Sequence, residues 1–323
     1  MGVLLASCGS SSDEEPAATT FHYPRDGEIR LSHVQVKATH NSYHVETPGN
    51  TLPEWQYTMP PLDVQLARDG VRSFELDVHY KGEGEPIEVH HLPLLDETTT
   101  CATLNACLKM LKTWSDAHPA HQPIYVQMEM KSGVNAKNAE AFFAAIDAEI
   151  LAVWPRGRVM TPDDVRGDAP TLRDAIATKG WPTLGALRQK IFFGFDESGE
   201  LRDLYTRGGA GLDGRIAFID SAPADAFAGI AVVNGAKDAA AIDAALAAGM
   251  LVRVFGTSVG GDPMDNVDAI ESGAHVLSTD YPGVMPDAAR TLTIPGGTPS
   301  RCNPRTAPPT CVAADIENAA FMR

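Results

Sequence analysis

Eight short β-rich runs recur between residues 34 and 280, separated mostly by Ala-rich or amphipathic stretches. They are VQVKAT (34–39), SFELDV (73–78), IYVQMEM (124–130), KIFFGFD (190–196), RIAFID (215–220), GIAVVN (229–234), LVRVFG (251–256) and HVLSTD (275–280). Such alternation is what βαβ units and a parallel sheet produce. Eight parallel strands are enough to close a barrel, and 323 residues exceed the roughly 250 typical of that fold. The expected class is α/β, a TIM-like (β/α)8 barrel with some irregularity; a doubly wound open sheet is the alternative. Helices are expected over 62–69, 104–117, 136–152, 183–188, 236–248 and 264–272, whereas the crossover before Gly229 is too short for a full one.

The flanks read differently. Met1-Gly2-Val3-Leu4-Leu5-Ala6-Ser7-Cys8 resembles a bacterial lipobox with a very short apolar stretch, and GSSSDEEPAATT (9–20) is small, polar and acidic, as a flexible tether would be. Residues 1–28 are therefore expected to be leader and tether, 29–294 the barrel, and 295–323 a Pro- and Thr-rich extension packed outside it. The remaining cysteines form two local pairs, Cys101 with Cys107 and Cys302 with Cys311, expected as disulfides in an oxidising compartment. Six helical residues rise about 9 Å, beyond disulfide reach, so Cys101 and Cys107 must flank a non-helical turn. These features predict an exported protein, either a lipoprotein at the outer membrane or cell surface or a secreted one. Nothing downstream approaches the roughly 20 apolar residues of a membrane span.

Composition narrows the function classes. Against 26 Lys+Arg stand 42 Asp+Glu, a net charge of -16, the wrong sign for tracking nucleic-acid phosphates. A hydrophobic fraction of 44% supports a substantial core. A monomer is expected.

In a TIM barrel the active site is built at the C-terminal ends of the strands. There the first run ends in Thr39-His40-Asn41-Ser42-Tyr43, the second holds Glu75-Leu76-Asp77-Val78-His79, and the third holds Glu129-Met130-Lys131. Strand side chains alternate, so Glu75, Asp77 and His79 share one face while Phe74, Leu76 and Val78 share the other. Neighbouring carboxylates inside a barrel repel and are costly to desolvate unless a cation or proton neutralises them. Three acids with no cysteine nearby suit a hard cation, calcium or magnesium, rather than structural zinc.

The spacing of THNSY, ELD, a histidine near the end of VHHLP and an acid at the end of PIYVQME resembles the calcium-dependent phosphatidylinositol-specific phospholipases C. The resemblance covers roughly residues 30–285; HHLPLLDETTTCATLNACL and LSTDYP (277–282) look like the bacterial branch. It implies a Ca2+ ion held by Asn41, Glu75, Asp77 and Glu129. It makes His40 a catalytic histidine at the phosphoryl oxygen and His91 the acid that protonates the leaving oxygen, with His90 as the alternative. Lys131, Arg253 and Asp280 become substrate-contacting residues, and a phospholipid in a membrane surface becomes the substrate. His79 stands where eukaryotic relatives usually have Trp, and Leu92 where they have Gly.

Other polar residues are given plainer roles: His44, His79, His118 and His121 surface or supporting positions, Arg72 a structural ion pair, Asp196 and Asp220 caps. Two rival functions are a glycerophosphodiester phosphodiesterase, whose signature has Arg where Asn41 stands, and a non-catalytic lipid-headgroup-binding module, which loss of a catalytic histidine would favour.

Overall fold

The computed structural model describes residues 23–283, 287–297 and 299–318; Cys8 and the tether lie outside them. Eight parallel strands form a nearly closed barrel: β1 Val34–Thr39, β2 Val71–His79, β4 Ile124–Ser132, β5 Ile191–Phe195, β6 Phe218–Ile219, β7 Ile230–Val233, β8 Leu251–Phe255 and β9 Val276–Thr279. Their order, β6-β5-β4-β2-β1-β9-β8-β7, is closed between β6 and β7 by a single bridge, Asp220 to Ile230. That seam falls where the chain crosses from β6 to β7 without a helix. Each expected run supplies one strand, although RIAFID yields only two strand residues; Arg215 instead turns towards Glu140 and the rings of Phe143 and Tyr205.

The expected helices are present as α1 Leu62–Val64 continued by a π turn to Asp69, α2 Leu104–Ala117, α3 Ala139–Val153, α6 Leu184–Leu187, α8 Ala239–Ala247 and α9 Met264–Glu271. Thr103 fixes the start of α2 by accepting from the Ala106 amide. Three further helices were not anticipated: α4 Pro162–Arg166, α5 Leu172–Lys179 and α7 Gly199–Tyr205. The first carries a signature that sequence could have shown, because Thr161 and Asp164 form a capping box around a proline at the helix start.

Two short strands join the barrel antiparallel to it. β3, Glu88–Val89, pairs with the end of β2 and holds the following loop near the barrel mouth. β10, Ser300–Cys302, pairs with the start of β1, so the C-terminal segment lies across the opposite end. Both disulfides are formed, Cys101–Cys107 and Cys302–Cys311. Arg72 and Glu317, both fully buried, pair between β2 and that C-terminal segment.

Parallel register stacks the interior in layers. Ser73, Tyr125 and Phe192 lie at one level, Glu75, Gln127, Gly194 and Phe218 at the next, and Asp77 and Glu129 above them. The lower level is aromatic, with Tyr125 stacked on Phe192. Gly194 is required there, since a Cβ would meet the Tyr125 hydroxyl at 2.5 Å. On the outer face Phe74, Leu76 and Val78 are fully buried in the main hydrophobic core. The barrel is thus apolar below and charged at the mouth.

Candidate active site

Alternation along β2 and β4 brings Glu75, Asp77 and Glu129 together, with one ligand atom from each lying within 4.8 Å of the others. Asp77 is fully buried, and the one charged group its carboxylate meets among the described residues is the Lys131 ammonium, 3.3 Å away. Burial pushes its pKa well up, Lys131 opposes this, and Glu129 and Glu75 add to it. One ammonium shared by two of three clustered carboxylates leaves their charge undercompensated, a balance that a divalent cation would restore. The donor set is all hard oxygen, and the residues therefore fit calcium.

Asn41 belongs to the same corner. It has a left-handed backbone (φ 42), and its Oδ1 accepts from the Tyr43 hydroxyl at 3.2 Å; burial raises the pKa of that phenol well above its ordinary value, and the charge on Asp77 adds to this. The turn is locked to β2 through Ser42, whose hydroxyl accepts from the Glu75 amide and whose own amide donates to the Glu75 carbonyl.

His40 follows β1 directly, and because β1 pairs with β9, Asp280 emerges beside it. His40 Nδ1 lies 2.9 Å from Asp280 Oδ1, and Nε2 lies 3.7 Å from Glu75 Oε1. Burial disfavours the charged ring, but Glu75 and Asp280 outweigh it and raise the pKa to about 9. The ring edge also meets Phe255, with centroids 4.9 Å apart.

Both expected substrate cations touch the acidic cluster. Lys131 Nζ is 2.7 Å from Glu129 and 3.3 Å from Asp77. Arg253 donates to Glu75 at 2.5 Å and to Ser278 at 3.2 Å. Gln127, not singled out in the sequence, donates to Glu75 at 3.1 Å and to Asp196 at 3.0 Å.

His40, Glu75, Glu129, Asp196, Asn234, Arg253 and Phe255 line a cleft of about 280 Å3. Asp196 thus does more than cap a segment: burial raises its pKa to about 6, with Arg253 opposing and Glu75 adding. Its place at the end of an expected strand was the signal for this. Asp220 does act locally, accepting from the Val232 amide.

The two adjacent histidines diverge. His90 is stacked on His79 at 3.8 Å and reaches Glu88. His91 Nδ1 instead lies 3.0 Å from Asp96, and the ring is close enough to Lys131 for that charge to add to the lowering of its pKa, which burial dominates and Asp96 opposes. His44 is buried against the same Asp96, and His121 is buried against Ser115. His118 stacks on Trp114.

Comparison with known proteins identifies the family and the fold. Residues 83–304 match the family model for phosphoinositide phospholipase C, Ca2+-dependent, a span that includes His91, Glu129, Lys131, Arg253 and Asp280 but begins after His40, Asn41, Glu75 and Asp77. The fold is similar to that of a calcium-dependent phosphoinositol-specific phospholipase C from Pseudomonas sp. (20% identity, TM-score 0.62, 87% of this chain and 98% of that one). It is also similar to a Ca2+-dependent enzyme of the same kind from Streptomyces antibioticus (21%, 0.58, 81% and 98%). The phosphatidylinositol-specific phospholipase C of Listeria monocytogenes is more distant (13%, 0.52, 82% and 93%). Comparison with curated protein sequences gives no match. With the family model matched over more than half of its length, this chain belongs to the Ca2+-dependent phosphoinositide phospholipases C, phosphoric diester hydrolases that cleave phosphatidylinositol-type lipids.

Proposed function

We propose that Asn41, Glu75, Asp77 and Glu129 hold the calcium ion, and that His40 and His91 carry the proton and charge chemistry on either side of it. The observation that supports this most is the buried Asp77 carboxylate placed between Glu75 and Glu129, three acids with one lysine to balance two of them.

Bound calcium supplies positive charge that stabilises the phosphoryl group and lowers the pKa of a neighbouring headgroup hydroxyl. One carboxylate of the cluster takes the proton of that hydroxyl, which attacks phosphorus. His40, kept protonated by Asp280 and Glu75, donates to a phosphoryl oxygen as its charge grows. His91 gives its proton to the departing glycerol oxygen. Diacylglycerol and a cyclic inositol phosphate leave. Lys131 and Arg253 turn from the carboxylates to the anionic substrate, and Asp196 with Asn234 faces the headgroup from across the cleft.

The substrate lies in a membrane, and the loop after His91 suits that setting: Leu94 is 92% exposed and Leu95 65%, an apolar tip beside the mouth. Two disulfides support an oxidising compartment, in keeping with export and attachment through Cys8 or with secretion as a monomer. No helix among the described residues is long and apolar enough to cross a membrane.

The test is a panel of phosphatidylinositol, phosphatidylcholine, sphingomyelin and glycerophosphodiesters, each with calcium and with EGTA. Calcium-dependent release from the inositol lipid alone is expected. Release from glycerophosphodiesters in its place would favour the rival enzyme, and binding without turnover would favour a headgroup-binding module.

A further inference from the structure

Asp96 is fully buried and accepts from three sides. Its Oδ2 lies 2.8 Å from His44 Nε2 and 3.0 Å from His91 Nδ1, while Oδ1 takes the Thr47 hydroxyl at 3.0 Å. The other nitrogen of His44, Nδ1, faces the Tyr57 carbonyl at 3.0 Å, and its ring is stacked on that of Tyr57. A carbonyl can only accept, and so can an ionised carboxylate. The His44 ring is thus held between the Tyr57 carbonyl and the Asp96 carboxylate.

The surrounding backbone is built to hold this cluster. The amides of His91 and Leu92 both donate to the Asp96 carbonyl, and the Asp96 amide donates to the Leu92 carbonyl, so histidine and aspartate stand at the two feet of one tight loop. The segment after β1 is stitched to the segment after Asp96: Val45 donates to Thr98, and Thr100 to Tyr43. The Cys101–Cys107 disulfide ties that second segment to α2.

We propose that Asp96 and His44 are positioning residues for His91: Asp96 fixes the His91 proton on Nδ1, leaving Nε2 to face substrate, and His44 holds Asp96 in place. This rests on the reading of His91 as the proton donor. A histidine in water prefers the proton on the other nitrogen, so an oriented acceptor at Nδ1 decides which ring atom is available for proton transfer. Nε2 of His91 has no hydrogen-bond partner among the described residues. The groups facing the ring are Asp96 from its own loop, His44 from the loop after β1, Lys131 from β4 and the Trp55 indole.

The experiment compares wild type, Asp96→Asn, His44→Gln and His91→Ala on phosphatidylinositol and on a nitrophenyl inositol phosphate, whose leaving group needs little protonation. It is joined by 15N NMR of the histidine rings. Wild type should show His91 in the Nδ1–H form when neutral, a measurement that requires no variant to fold. Asp96→Asn should lose about a hundredfold in kcat on the lipid and only a few-fold on the nitrophenyl substrate, with the His91 tautomer shifted towards Nε2–H. His44→Gln, which loosens Asp96 without removing it, should show the same selective loss on the lipid to a smaller extent. A wild-type His91 in the Nε2–H form overturns the proposal, as do equal losses on both substrates for Asp96→Asn. Should His91→Ala itself lose equally on both, the proton-donor reading falls, while the tautomer measurement still decides whether Asp96 orients the ring.

Discussion

Glu317→Ala should lower stability steeply while leaving the active site intact. Arg72 and Glu317 are both fully buried. Arg72 Nε donates to both Glu317 oxygens, at 3.1 and 2.9 Å, and Nη2 also donates to Oε1; Nη1 is satisfied separately by the carbonyls of Leu66 and Val71. The Gln122 amide also donates to Glu317. Truncating the acid leaves an uncompensated guanidinium against Trp114, with two of its donor nitrogens and one amide unbonded. Breaking such a pair from one side costs about 3–5 kcal/mol. At about 2 °C per kcal/mol for a chain of this size, the midpoint of a thermal melt followed by circular dichroism should fall by about 6–10 °C. Glu317→Gln, which keeps one accepting oxygen but neither the second nor the charge, should fall less. Because the pair lies at the end of the barrel away from the cleft, kcat on phosphatidylinositol at 25 °C should be unchanged. A midpoint within about 2 °C of wild type for Glu317→Ala would refute the reasoning.

Replacing Leu94 and Leu95 by Ser should weaken binding to neutral phospholipid vesicles and lower turnover of vesicle-borne substrate, with turnover of a soluble inositol phosphate ester unaffected. Sedimentation with vesicles and the two rates check it. The pKa of His40 is raised on folding from 6.5 to about 9, so its contribution to stability is complete below pH 6.5 and is lost as pH rises through about 9. Denaturation of the calcium-free protein between pH 6 and 10 should show this loss in wild type and not in His40→Gln.

What the sequence disclosed was whatever is written in local patterns. The β-rich runs predicted every barrel strand, and alternation alone put Glu75 and Asp77 on the inner face, because both depend only on neighbours along one strand. β3 and β10 escaped notice since two- and three-residue strands exist only through their partners on β2 and β1. Asp96 lies in a loop without periodicity, and its importance comes from His44, far away in sequence. Glu317 could not be matched to Arg72 for the same reason, although a structural ion pair for that arginine was expected. Lys131 and Arg253 were expected at the substrate; the structure adds that each is held by a carboxylate of the cluster, a relation that only the folded barrel creates.

Calcium binding by Asp77→Asn, measured by titration calorimetry beside wild type, tests the central claim most directly. The substitution keeps size and shape but removes the charge of the fully buried carboxylate at the centre of the cluster. The account predicts a single calcium site in wild type and a loss of at least about a hundredfold in affinity in the variant, roughly 3 kcal/mol by the usual factor of ten per 1.4 kcal/mol, with the thermal melt of the metal-free protein preserved or improved. Wild-type calcium affinity in Asp77→Asn would contradict it.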